Sequence, residues 1–75
     1  MKPKLIVDTA TRRVAYVAFD GIVPERVLIL DGGRQQAFFS ASCEVLDYAG
    51  QIPAGFHPQS CWGYRVTPAG LEPVG

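Results

Sequence analysis

Arg13-Val14-Ala15-Tyr16-Val17-Ala18-Phe19 decides the fold class. Drawn as a strand, its even positions Val14, Tyr16 and Ala18 share one face, and its odd positions Ala15, Val17 and Phe19 share the other. Both faces are apolar. A single open sheet in a small chain can hide only one such face. Either the sheet closes on itself, or its second face meets another molecule.

Upstream lies Leu5-Ile6-Val7, a short β-branched-rich run, and between the two sits Asp8-Thr9-Ala10-Thr11-Arg12. Asp and Thr side chains hydrogen-bond nearby backbone and favour turns, so the pair reads as a hairpin with Arg12-Arg13 at a solvated tip. Downstream, Asp20-Gly21 breaks the strand, and Pro24 keeps Ile22-Val23 out of a sheet interior. Val27-Leu28-Ile29-Leu30 is continuously apolar, as expected of a strand covered on both faces. Asp31-Gly32-Gly33 turns the chain, and Gln36 to Ser42 forms the next strand, with Phe38 and Phe39 on opposite faces. Glu44 to Tyr48 fits a fifth strand, although its pattern also fits a helical turn and a half. Gly50 to Ser60, with Pro53, Gly55 and Pro58, is loop. Cys61 to Val66 is the last strand, with Trp62 and Tyr64 on one face.

From Thr67 the chain reads Thr-Pro-Ala-Gly-Leu-Glu-Pro-Val-Gly, whose Pro68, Gly70 and Pro73 disfavour regular structure. The expected organisation is therefore one β domain over residues 1–66 and an extended tail over 67–75. The fold class is all-β, a small antiparallel barrel or compact sandwich of five to six short strands.

The chain has 75 residues, 48% of them hydrophobic and only 19% charged. A domain of this size buries only a little over roughly 60% of its unfolded surface, so so much apolar material implies oligomerisation or docking on a larger assembly. Seven basic residues balance seven acidic ones. No excess positive charge exists to displace counterions from a nucleic-acid backbone. No apolar run approaches the length of a membrane span. The basic start Met1-Lys2-Pro3-Lys4 precedes only three apolar residues, too few for a secretion signal, and synthesis in a reducing cytoplasm is the expectation. Cys43 and Cys61 then read as buried thiols, with a disulfide open if their strands are neighbours.

Chemistry is hard to assemble from these residues. His57 is the only histidine, and one histidine with two distant cysteines is not a zinc ligand set. Ser40, Ser42, Ser60 and Cys43 lack a base and an orienter, and no Gly-x-Ser-x-Gly elbow occurs. Asp8, Asp20 and Asp31 fall at turns rather than facing one another across a cleft. Asp31-Gly32-Gly33-Arg34 lacks the Gly-Lys-Ser/Thr core of a phosphate loop. The expectation is a non-enzyme with no metal or other cofactor. Tyr64-Arg65 and Arg12-Arg13 suit stacking on single-stranded nucleic acid, but the neutral charge balance opposes it.

Two segments resemble small virion-associated proteins of tailed bacteriophages, cyanophages especially. One is Lys4-Leu5-Ile6-Val7-Asp8-Thr9-Ala10-Thr11-Arg12-Arg13-Val14-Ala15-Tyr16, similar to a "strand, Asp-Thr-x-Thr, strand" opening. The other is Gly50-Gln51-Ile52-Pro53-Ala54-Gly55-Phe56 with Cys61-Trp62-Gly63-Tyr64. Together they cover under half the chain, and Gly21 to Glu44 lies outside them. The resemblance implies a minor structural component of a phage head, tail or baseplate. It would be made in the bacterial host cytoplasm and carried in the virion, in several copies on a major capsid or tail protein. Neither motif brings a functional residue with it. The interface anchors expected from the residues are Phe39, Tyr48, Trp62, Tyr64, Leu71 and Val74. Short edge strands and an extended tail also suit strand addition to a neighbour's sheet. The alternative is a small phage-encoded module binding a host protein or single-stranded nucleic acid.

Overall fold

The computed structural model describes residues 2–75; Met1, with which the expected domain begins, lies outside the described residues. Seven strands follow one another: β1 (Lys4–Val7), β2 (Val14–Ala18), β3 (Arg26–Asp31), β4 (Arg34–Phe39), β5 (Glu44–Asp47), β6 (Tyr64–Thr67) and β7 (Gly70–Pro73). Short 3-10 turns occupy Ser40–Ser42 and Cys61–Gly63. The strands form three antiparallel sheets, β2-β1-β5, β3-β4 and β6-β7. The fold is all-β and sandwich-like, with no closed barrel.

The three-stranded sheet is the middle layer. Leu5 and Val7 of β1 point to one face with Val14 and Val17 of β2, and there they meet Phe56, Cys61 and the β6–β7 hairpin residues Tyr64, Val66 and Leu71. Ile6 points to the other face with Ala15 and meets Val27 and Ile29 of the β3–β4 hairpin. Leu5, Ile6 and Val7 are consecutive and all 0% exposed, which a half-solvated sheet cannot give. The sequence left two solutions for a two-faced strand, closure or a second molecule. The chain uses a third, covering each face with one of its own hairpins.

A β-bulge sets which β2 residues face which layer. Ile6 opposes Tyr16 while Val7 opposes Val14, so Ala15 is the extra residue. Strict alternation would place Val14 with Tyr16 and Ala15 with Val17. The bulge instead puts Val14 with Val17 in one core cluster and Ala15 beside Tyr16 in the other. The turn before it forms as its residues suggest. The Asp8 carboxylate accepts bonds from the Thr11 hydroxyl at 2.6 Å and the Thr11 amide at 3.3 Å. Arg12 is the only non-glycine at positive φ among the described residues, at 64°. Neither arginine is a solvated tip. Arg12 pairs with Glu44, and Arg13 is drawn inward by Trp62. On the opposite edge of β1, Lys4 Nζ lies 2.5 Å from Asp47 Oδ1 and holds that carboxyl below its ordinary value. The pair is solvent-exposed, and such a contact adds little to stability.

Three expected boundaries move. The strand expected over Gln36 to Ser42 runs Arg34–Phe39, because pairing starts at Asp31–Arg34 beside the two-glycine loop, and it gives way to a 3-10 turn at Ser40–Ser42. Residues 67–75 are not a free tail, because Gly70–Pro73 pairs with Tyr64–Thr67 across a Pro68-Ala69 loop. Pro68 suits the first position of such a turn, and Thr67 Oγ1 bonds the Ala69 amide and the Gly70 carbonyl across it. Pro73 is tolerated because Thr67–Gly70, Arg65–Glu72 and Gly63–Val74 are the hydrogen-bonded pairs. Tyr64–Pro73 falls between them, and the missing N–H faces no partner. Leu71 is thereby half-buried against the core rather than held out on a tail. Cys61–Gly63 is likewise a 3-10 turn and not the start of a strand. Its threefold period sends Cys61 into one core cluster and Trp62 into the other, so Trp62 and Tyr64 do not share a face. Cys43 packs on the Trp62 side, and both cysteines are free thiols.

Because both sides of β1 are cores, Leu5→Ala and Ile6→Ala should each lower stability by about 2–5 kcal/mol in urea titrations. A sheet with one covered face would show that cost at only one of the two positions.

Candidate functional site

The loop from Tyr48 to Ser60 is tied to the body. Phe56 is buried and meets Tyr64 edge to face at 5.1 Å. The His57 carbonyl accepts bonds from the Ser60 and Cys61 amides, and the Tyr48 hydroxyl bonds the Gln51 carbonyl. Tyr48 also sets the space available at Gly50, where any Cβ would fall 2.6 Å from the Tyr48 ring. His57 is exposed, and its Nδ1 lies 3.2 Å from Gln59 Oε1 within the same loop. Among the described residues, no three His, Cys, Asp or Glu side chains converge. No helix there is long and apolar enough to cross a membrane.

Trp62 is clamped. The Arg13 guanidinium carbon lies 4.3 Å from its ring centroid, and Phe38 packs against it at 5.1 Å. Arg13 also donates from Nε to the Trp62 carbonyl at 2.9 Å and reaches Asp31 at the end of β3, 3.9 Å away. One arginine thus links β2, the 3-10 turn and the outer hairpin. The Trp62 Nε1 is buried without a hydrogen-bond partner among the described residues, which costs free energy.

Surface available for docking lies on the β3–β4 hairpin. Gly32 and Gly33, at φ 60° and 83°, form a two-residue loop closed by the Asp31–Arg34 pair. Register then puts Arg26 opposite Phe39, Leu28 opposite Ala37, and Leu30 opposite Gln35 on one face. That face points away from the core: Leu28 is 52% exposed, Leu30 75% and Phe39 50%. The expectation that Val27–Leu30 is covered on both faces is therefore corrected. Val27 and Ile29 face the core, while Leu28 and Leu30 face solvent. The sequence does contain the signal. A Gly-Gly turn folds Leu30 onto Gln35 and Ile29 onto Gln36, and a strand paired with so polar a partner is not interior on both sides.

Of the expected anchors, Phe39 lies on this exposed face, and Val74 is exposed at the end of the C-terminal hairpin. Tyr48, Tyr64 and Leu71 come together against the Leu5–Val17 core cluster, and Trp62 belongs to the other. Leu28, Leu30 and Ala37, on the same face as Phe39, are not among the expected anchors. Set against family models, curated proteins and solved structures, the chain matches none.

Cys61 offers a handle on the integrity of this frame. Burial pushes its thiol up from 9.0 to about 11. Below pH 9 folded and unfolded chains both hold the proton, and the group contributes nothing to pH dependence. As pH rises from 9 towards 11 the unfolded chain releases it first, and stability should fall by about 2–3 kcal/mol. Urea midpoints across that range should decline less steeply in Cys61→Ala than in the parent chain.

Proposed function

We propose that this chain is a minor structural component of a bacteriophage particle. It docks on a major capsid or tail protein, in several copies, through the outer face of the β3–β4 hairpin. The observation that carries this reading is the stripe Leu28, Leu30, Ala37 and Phe39, exposed on one face of a two-stranded element. Such a stripe on so small a domain is costly to leave in water, and it marks an interaction surface. The resemblance of Lys4–Tyr16 and of Gly50–Phe56 with Cys61–Tyr64 to small virion proteins supports the same reading. Those segments hold β1, the start of β2, and the loop and 3-10 turn that lead into β6, so the likeness speaks for a shared frame. The exposed stripe lies in the stretch outside the resemblance, where a partner-specific surface belongs.

The alternative, a module stacking single-stranded nucleic acid, finds less support. Trp62, the largest ring available, already has Arg13 and Phe38 against it. A base-stacking platform needs an open ring beside unpaired cations.

Mass spectrometry of purified particles tests the assignment directly: the chain should be present at a fixed stoichiometry, and its absence sinks the proposal. The surface has its own test. Leu30→Lys with Phe39→Ser should change stability by no more than about 1 kcal/mol, because both side chains are solvent-facing. The same pair should weaken association at least tenfold in sedimentation equilibrium or in binding to particles lacking the chain.

A further inference from the structure

The hairpin also has an unpaired edge, that of β3. Among the described residues β3 bonds only to β4. The Asp31–Arg34 pair closes the two-residue loop, and the Ser40 amide donates to the Glu25 carbonyl at 3.0 Å. Both observations set the same alternation: Glu25, Val27, Ile29 and Asp31 direct their amides and carbonyls at β4. Arg26, Leu28 and Leu30 direct theirs outward. None of these three takes part in any other hydrogen bond among the described residues.

A groove of about 520 Å³ runs along this edge. Arg26, Val27, Leu28, Ile29 and Leu30 all line it, odd and even positions alike, so it follows the strand's edge and not one face. Its other wall is Ala15 and Tyr16 of β2 with Pro58, Gln59 and Trp62. The free donors and acceptors recur every second residue, roughly 6.6–6.8 Å apart. Only another extended backbone repeats at that interval. Five residues of edge accommodate a strand of about 17 Å. The lining carries a single charge, Arg26, which forms no ion pair among the described residues. A carboxylate at that end of the occupant would complete it.

We infer that the β3 edge binds an extended, alternately apolar segment of a partner polypeptide, with an acidic residue beside Arg26, by adding it as a third strand to the β3–β4 sheet. This deepens the docking reading by naming what the partner contributes. A second copy presenting its own β3 fits less well. The two-fold axis that aligns two such edges in one sheet sets both bodies on the same side, and the wall from Ala15 to Trp62 then meets its counterpart.

The test uses synthetic octapeptides with Val or Leu at alternate positions and Glu at either end, read by amide exchange and ¹⁵N shifts on the whole chain. In the free chain the Arg26, Leu28 and Leu30 amides should exchange freely while those of Val27 and Ile29 are protected. A bound peptide should protect Arg26, Leu28 and Leu30 at least tenfold. N-methylating the peptide's edge-facing amides should weaken binding at least tenfold, and methylating the alternate set should not. Leu28→Pro removes one outward N–H without touching the β4 ladder and should abolish binding, whereas Leu28→Ala keeps it. If Leu28→Pro does not fold, the methylated peptides on the parent chain decide. Three results overturn the inference: no peptide binding up to about 1 mM, equal binding by both methylated sets, or protection of Arg26, Leu28 and Leu30 by self-association alone. Ala37→Lys with Phe39→Ser lies on β4 outside the groove and probes the outer face separately, so unchanged particle association with intact peptide binding sinks the docking face and not the edge.

Discussion

Everything in this fold answers to β1. Leu5, Ile6 and Val7 are adjacent, fully buried and directed alternately to opposite sides. A strand that is apolar on both faces needs two covers. In larger proteins helices supply them, but a chain of this length has room only for hairpins. The β3–β4 pair is one cover and the β6–β7 pair the other. The bulge at Ala15 and the 3-10 turn at Cys61 then act as fittings. The bulge gives Ala15 and Tyr16 to the outer-hairpin side, and the turn divides Cys61 and Trp62 between the two cores.

This economy has a geometric cost, which falls on the outer hairpin. A two-stranded cover is buried on one face and bare on the other. On β6–β7 the bare side is mostly polar. On β3–β4 it carries Leu28, Leu30, Ala37 and Phe39. Exposed apolar side chains also stand singly at Phe19, Ile22, Val45 and Val74. The β3–β4 hairpin lines several such side chains along one face, beside an unpaired strand edge.

The legible part of the fold is the part governed by local rules. Turn chemistry at Asp8–Arg12 and Gly32–Gly33 is written in residue types, and the strands around those turns lie close to where alternation puts them. What resists reading depends on partners distant in sequence. Pro73 reads as a strand breaker until its pairing with Tyr64 places the missing N–H at an unbonded position. Trp62 and Tyr64 read as one face until a single 3-10 turn changes the period between them. The expected anchors Tyr48, Tyr64 and Leu71 lie near turns and the chain end, which is also where residues that close a small core are found. Leu28 and Leu30 were hidden by belonging to a run whose neighbours, Val27 and Ile29, are interior.

The order of the strands along the chain has a kinetic side. Lys4 and its cross-strand partner Asp47 are 43 positions apart, and the entire outer hairpin intervenes between β1 and β5. β1–β2 and β3–β4 close over short loops and can form early. The middle sheet gains its third strand only when the ribosome has released β5, and its inner cover only with β6–β7. Until then a strand built to be dry on both sides has one side wet, which is the condition under which nascent β proteins mispair. Chains translated side by side would spend this interval among their own copies. Fast closure of the Arg12–Glu44 and Lys4–Asp47 clips would shorten it.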